Sequence, residues 1–197
     1  MTPQAESVLD MFRASGAYLE GHFRLTSGLH SPNYLQCALV LRHPPVAEDL
    51  GRRLAAALRT IVDERVALVV SPALGGLIIG HEVARALGTP FLFTERDAES
   101  RKMTLRRGFT VQPGETAVVV EDVITTGGST RDVIETLSGA GARVLGAGSI
   151  IDRSGGTADV GVPRVALATL QVAVYEPGAC PLCRTGIPAV KPGSRPA

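Results

Sequence analysis

The chain has no tryptophan, and only 4% of its 197 residues are aromatic. Interleaved stacking platforms of the kind that hold single-stranded nucleic acid are therefore excluded. An excess of charge of one sign is also missing: Lys and Arg number 20 against 19 for Asp and Glu, a formal net charge of +1. No overall field draws such a chain to a phosphate backbone or an acidic bilayer, so a small-molecule partner is expected, with no nucleic acid and no membrane. The three cysteines, Cys37, Cys180 and Cys183, are too few and too unevenly placed for a disulfide framework, as expected in a reducing compartment. The longest apolar run, ALVVSPALGGLIIG, is broken by Pro72, Gly75 and Gly76, and the start lacks a charged segment, an apolar core and a cleavage site. A cytoplasmic protein is expected.

What is present is alternation. Val46, Leu50, Leu54, Leu58 and Ile61 recur at helical spacing after Pro44 and Pro45, whose positions suit a first helical turn. VALVVS (66–71) is a short valine-rich run followed by a Pro and Gly-Gly break, then by the helical LIIGHEVARALG closed by Gly88. PFLFTE (90–95) reads as a strand, and the polar stretch from Arg96 to Arg107 as a long loop. TAVVVED (116–122) is a strand, STRDVIETLSGAG a helix, and ARVLGAGSIID (142–152) another strand. Continuous apolar strands joined by helical crossovers predict an α/β fold with a mostly parallel central sheet flanked by helices. One domain over residues 1–197 is expected, with a small N-terminal cap of short strands and turns in 1–40 and an irregular Pro- and Gly-rich tail in 176–197. Ligands of such sheets bind beyond the carboxyl ends of the strands, which brings SPALGG, the 96–107 segment and EDVITTGGST to one rim.

The segment VVVEDVITTGGST (118–130) carries the chemistry. Where a strand ends and a helix begins, unpartnered amides and the helix dipole make an anion site. Thr125, Thr126, Ser129 and Thr130 add hydroxyl donors, and Gly127 and Gly128 let the backbone approach a phosphate. Glu121 and Asp122 would repel that phosphate, so they are expected to accept sugar hydroxyls or to hold Mg²⁺ through water. The pattern reads as a sugar-phosphate site. An ordinary strand, turn and N-cap uses the same residue types.

As a whole the segment resembles the 5-phosphoribosyl 1-pyrophosphate signature of the type I phosphoribosyltransferases, in which an apolar strand leads into an acidic pair and a Thr, Gly and Ser/Thr loop. FRLTSGLHSPNY (23–34), RRGF (106–109) and IIDRSGG (150–156) resemble the orotate branch of that family. The resemblance implies a donor site formed by Glu121, Asp122, Val123, Ile124, Thr125, Thr126, Gly127, Gly128 and Ser129, with Gly75 in the pyrophosphate loop. It implies that Thr125 and Arg153 contact orotate, whose carboxylate suits a guanidinium. It assigns catalytic roles to Asp122, Glu121, Arg96 and Lys102, with Mg²⁺ held mainly by the substrate. It also implies a homodimer in which one subunit's mobile loop, carrying Arg96, Arg101, Lys102, Arg106 and Arg107, closes the neighbour's site. For Arg153 the plainer reading is a surface arginine beside Asp152, and for the loop a solvated mixed-charge segment.

Three departures stand out. The loop has Arg96-Asp97 and no histidine, Thr26 replaces a lysine before Ser27-Gly28, and SPALGG offers only Gly75 and backbone. Arg24 is the candidate replacement for the lysine missing at Thr26. CPLC (180–183) has the spacing of half a zinc site, but no second pair exists, so a four-thiolate centre would need two subunits. His22, His30, His43 and His81 show no ligand spacing, and the two thiols read as reduced groups in a turn. Two alternatives stay open: a salvage enzyme for another base, and a non-catalytic sensor of the phosphoribosyl donor.

Overall fold

A computed structural model describes residues 2–25 and 27–192. The chain opens with α1 (Pro3–Ala14), whose N-cap Thr2 side chain accepts a hydrogen bond from the Ala5 amide. A hairpin of β1 (Tyr18–Arg24) and β2 (His30–Leu35) follows, then the short α2 (Cys37–Leu41) and α3 (Pro44–Leu58). The main body runs β3 (Leu68–Pro72), α4 (Gly76–Leu87), β4 (Phe91–Arg96), β5 (Met103–Leu105), β6 (Thr116–Ile124), α5 (Gly128–Gly139), β7 (Arg143–Asp152) and β8 (Arg164–Thr169). The tail holds a 3₁₀ turn and α6 (Pro181–Arg184). Among the described residues no helix is long and apolar enough to cross a membrane.

The main sheet has the order β5-β4-β3-β6-β7-β8, with only the β4–β5 pair antiparallel. Its central strands are buried on both faces, which is why they read as unbroken valine runs. Val69, Val118 and Val120 face a core shared with Phe12, Leu54 and Val83. Their neighbours Leu68, Val70, Ala117 and Val119 face a second core built on Val133 and Leu137 of α5. The α/β architecture expected from the sequence is therefore the one observed, with α1, α3 and α4 on one face and α5 on the other.

Four expectations need correction. The first 40 residues are not only short strands and turns: α1 buries Val8, Leu9 and Phe12 in the main core, leaving the β1–β2 hairpin as the separate part. Each such side chain contributes roughly 1.5–3 kcal/mol by leaving water, so α1 is part of the body. The 96–107 segment is not a long loop; β4 turns back into β5, with the Asp97 carboxylate accepting from the Ser100 amide at 2.8 Å and its hydroxyl at 2.9 Å. β5 is too short to show an alternating pattern. β8 was not expected at all, and it closes the far edge by pairing with β7. Finally, β6 does not end at Asp122 but runs on to Ile124, so both carboxylates lie within the strand and its alternation decides where each of them points.

Candidate active site

The carboxyl ends of β3, β6 and β7 meet at one rim, and the unusual residues gather there. Successive strand residues project to opposite faces, so the extension of β6 separates the acidic pair. Glu121 turns inward, where Oε1 accepts from the Ser129 hydroxyl at 2.6 Å and Oε2 from the Thr130 hydroxyl. Burial raises its pKa, and those hydroxyls only partly offset it. Glu121 thus ties the end of β6 to the first turn of α5. Asp122 lies on the other side, against Cys37 and the backbone of Gly75. A Cβ at Gly75 would come within 2.7–2.8 Å of both Asp122 carboxylate oxygens, so only glycine lets the loop after β3 close on that group. Burial raises the Asp122 pKa as well, and pushes the Cys37 thiol far up.

Beyond β6 the chain turns at Gly127, which has φ 76° and a position where a Cβ would sit 2.7 Å from Val160. Arg131 braces this turn from behind, donating to the Thr126 and Asp159 carbonyls. No side chain caps the first turn of α5, and Thr125 and Thr126 are exposed with hydroxyls that bond to nothing among the described residues. Ser129 differs: its hydroxyl is directed to Glu121, so only its amide is free to face an incoming anion.

Beside this loop lies a cavity of about 430 Å³ lined by Asp122, Thr125, Thr126, Tyr34 and Arg153, with Leu25, Leu29 and Val174 as apolar walls. Arg153 follows β7, and its amide donates to the Ile124 carbonyl at 2.8 Å. Its Nε is buried without a hydrogen-bond partner, and it forms no ion pair among the described residues. Burial lowers its pKa. Asp152, the neighbour that would make Arg153 an ordinary paired arginine, is engaged elsewhere. It accepts from Arg164 at 2.7 Å, from the Ser154 amide at 2.7 Å and hydroxyl at 2.6 Å, and from the Gly156 amide at 3.1 Å. A partly desolvated cation without an ion-pair partner among the described residues therefore lines this cavity.

The Asp152–Arg164 pair is the clamp under this corner, and removing Arg164 leaves a buried carboxylate short of its counter-ion. Arg164→Ala is expected to lower stability by about 3 kcal/mol near neutral pH. Burial alone would raise the Asp152 pKa, but Ser154 and Arg164 outweigh it and the net shift is downward. The contribution is thus present above the unfolded carboxylate pKa and fades as pH falls through the folded one. Denaturant unfolding against pH should show the gap between parent and variant closing in acid.

The cations of the β4–β5 hairpin are elsewhere. Arg96 pairs with Asp132 of α5 at 2.7 Å and also donates to the Arg101 carbonyl. With Lys102 and Arg101 it lines a separate cavity of about 420 Å³. Arg107 is held by Glu95 at 2.9 Å. Within one chain, then, Arg96 and Lys102 do not share a cavity with Asp122, Thr125 and Arg153. Thr26 lies outside the described residues, and Arg24 does not line the cavity: its amide bonds to the Val190 carbonyl of the tail. Sequence reasoning missed Cys37 beneath Asp122, and it missed that His22 and His30 lie beside Cys180 and Cys183.

Comparison with known proteins gives the class first. The model of the phosphoribosyl transferase domain family matches residues 39–170. Orotate phosphoribosyltransferase of Heliobacterium modesticaldum is 55% identical over 96% of this chain and 98% of its own, and that of Pelotomaculum thermopropionicum 54% over 96% and 97%. The crystal structure of the orotate phosphoribosyltransferase from Aeropyrum pernix superimposes with a TM-score of 0.67 at 29% identity, covering 83% of this chain and 94% of the other. The chain belongs to the orotate phosphoribosyltransferase family, within the phosphoribosyl transferases.

Proposed function

We propose that this chain transfers the phosphoribosyl group of 5-phosphoribosyl 1-pyrophosphate to orotate, giving orotidine 5′-monophosphate and pyrophosphate in pyrimidine biosynthesis. The observation that carries the reading is Arg153, whose buried Nε has no hydrogen-bond partner and which forms no ion pair among the described residues, in one cavity with Asp122 and Thr125. Orotate brings a carboxylate that fits it; a base without one would leave the charge uncompensated.

The ring nitrogen of orotate displaces pyrophosphate from ribose carbon 1 with inversion, and the bonding pair leaves on the pyrophosphate oxygen. No covalent enzyme intermediate is required, so the chain's part is positioning and electrostatics. The free amides at the start of α5, with the Thr125 and Thr126 hydroxyls, hold the 5′-phosphate. Asp122, pressed on Gly75, orients the ribose hydroxyls at the mouth of the pyrophosphate loop. Glu121, with both oxygens bonded to Ser129 and Thr130, supports the loop and does not meet the ligand. Of the pair, Asp122 is therefore the one that fits Mg²⁺ through water, the substrate supplying the other oxygens. That ion would neutralise charge on the departing pyrophosphate.

Arg96 and Lys102 act on the site of a second copy in a homodimer, which agrees with their own cavity lying apart. The free cysteines agree with a cytoplasmic setting. Absorbance in the orotate band tests the reaction: with donor and Mg²⁺ the protein should consume orotate and leave uracil, hypoxanthine and adenine untouched. Turnover of another base instead would overturn the assignment. For the shared site, Lys102→Ala and Asp122→Asn chains, each inactive alone, should regain turnover when mixed and refolded together; no recovery would place both residues in one subunit's site.

A further inference from the structure

The tail and the hairpin hold a second constellation, which the transfer reaction does not use. Cys180 and Cys183 flank the first turn of α6, while His22 and His30 sit on facing strands of the hairpin. One ligand atom from each of the four lies within 4.8 Å of all the others. The Cys180 and Cys183 sulfurs are 3.5 and 3.8 Å from His22 Nε2, and Cys183 Sγ is 3.3 Å from His30 Nδ1. The two ring nitrogens are 2.8 Å apart.

Hydrogen bonding alone does not account for this convergence. His22 Nδ1 lies 2.6 Å from the Ile187 carbonyl, which has no proton to give, so Nδ1 carries the hydrogen and Nε2 presents a lone pair. His30 Nδ1, Cys180 Sγ and Cys183 Sγ then all crowd that one lone pair. A cation at the centre would accept from all four at once. The backbone carbonyl fixing the far nitrogen of a ligating histidine is the usual support of such a site. With metal–sulfur bonds of about 2.3 Å and metal–nitrogen bonds of about 2.0–2.1 Å, tetrahedral geometry separates sulfur from nitrogen by about 3.5 Å. The three sulfur–nitrogen distances of 3.3, 3.5 and 3.8 Å bracket that value, and the two ring nitrogens, at 2.8 Å, would open slightly.

We propose that His22, His30, Cys180 and Cys183 of one chain bind a structural zinc ion. Two thiolates and two imidazoles in a closed tetrahedron suit zinc and leave no position for substrate. Binding releases the two thiol protons, with the imidazoles neutral. The earlier requirement for two subunits falls away, because a hairpin supplies the second half of the site. Phe23 and Cys180 are buried yet belong to neither of the two hydrophobic cores. The hairpin and tail are instead stitched by backbone bonds, Arg24 to Val190 and His30 to Tyr175, and a metal supplies what a small region without its own core lacks. The hairpin turn also carries Leu25 and Leu29, which wall the cavity holding Arg153. Zinc thus fixes the roof of that pocket from the side away from the chemistry.

Metal analysis of the full-length protein purified without chelator tests this. About one zinc per chain is expected, and cobalt substituted for it should give the intense visible absorption of a tetrahedral thiolate complex. Cys183→Ser, at the exposed ligand, should retain less than about a tenth of the zinc after dialysis, since even supporting partners of a metal site are worth 10–100-fold in affinity. Thiol titration of the parent should find Cys180 and Cys183 protected until a chelator is added, and the unfolding midpoint should fall with the metal. Absence of zinc together with no cobalt–thiolate band on titration would overturn the proposal. So would a Cys180–Cys183 disulfide in protein prepared under reducing conditions, or zinc held undiminished by Cys183→Ser. None of these readouts depends on turnover, so the site stands or falls separately from the reaction.

Discussion

Asp122→Asn should cost about 10²–10³-fold in turnover with orotate, the usual loss when one group aimed at developing charge is removed, while the protein unfolds no more easily than the parent. The two halves of that expectation have different physical origins. The carboxylate touches Gly75 and opens on the cavity with Thr125 and Arg153, so its charge is set where the proposed reaction puts ribose and pyrophosphate. The same burial raises its pKa. A carboxyl whose folded pKa exceeds the unfolded one binds its proton more readily in the folded state. Its ionised form is therefore a cost to stability that is absent below the unfolded pKa, grows through the window between the two values and is full above the folded one. Asparagine keeps the shape and removes that cost. The unfolding midpoint of the variant at neutral pH should equal or exceed the parent's, and the difference should vanish in acid. Steady-state kinetics and thermal unfolding on one preparation decide the matter. Unchanged turnover would remove Asp122 from the reaction, and a large drop in the midpoint would make it a structural residue.

Much of this arrangement was written in local patterns. β3 and β6 are valine-rich runs, β7 is a longer run of small and aliphatic residues, and α3, α4 and α5 follow helical spacing between Pro or Gly boundaries. Those six elements place the rim, and the strand–loop–helix at 118–130 could be read from residue types alone. What could not be read rests on contacts across the chain. β8 is a strand because β7 offers it an edge, and β5 is too short to carry a period. The roles of Glu121 and Asp122 diverge because β6 continues to Ile124, four residues past Val120 where its apolar run stops, and alternation then sends one carboxylate to Ser129 and Thr130 and the other to Gly75. His22 and Cys180 are 158 positions apart, a separation at which no spacing rule operates. Local chemistry made the motif visible; tertiary neighbours assigned its parts.

The charge on Arg153 gives the second large effect, and its signature lies in which substrate suffers. Arg153→Ala removes a cation that has no anionic partner among the described residues and whose Nε bonds to nothing there, so no observed ion pair is broken. Burial already works against its charge, which is why its pKa is lowered. The fold should tolerate the change well. Orotate should not: truncating one side of a desolvated, hydrogen-bonded charge pair costs about 2–5 kcal/mol, which puts the rise in KM for orotate at roughly 30-fold to several thousand-fold. In the proposed assignment the donor binds through the α5 loop and Asp122, so its KM should hardly move. Lysine at the same position restores the charge without the two-pronged guanidinium, and Arg153→Lys should recover only part of the loss. The variant should also discriminate less between orotate and uracil, because a pocket without a buried cation no longer penalises a base lacking the carboxylate. Initial rates over a grid of both substrates separate the two KM values. Equal effects on orotate and donor would take Arg153 out of the orotate pocket and leave its unpaired charge to be explained by the pyrophosphate side of the reaction.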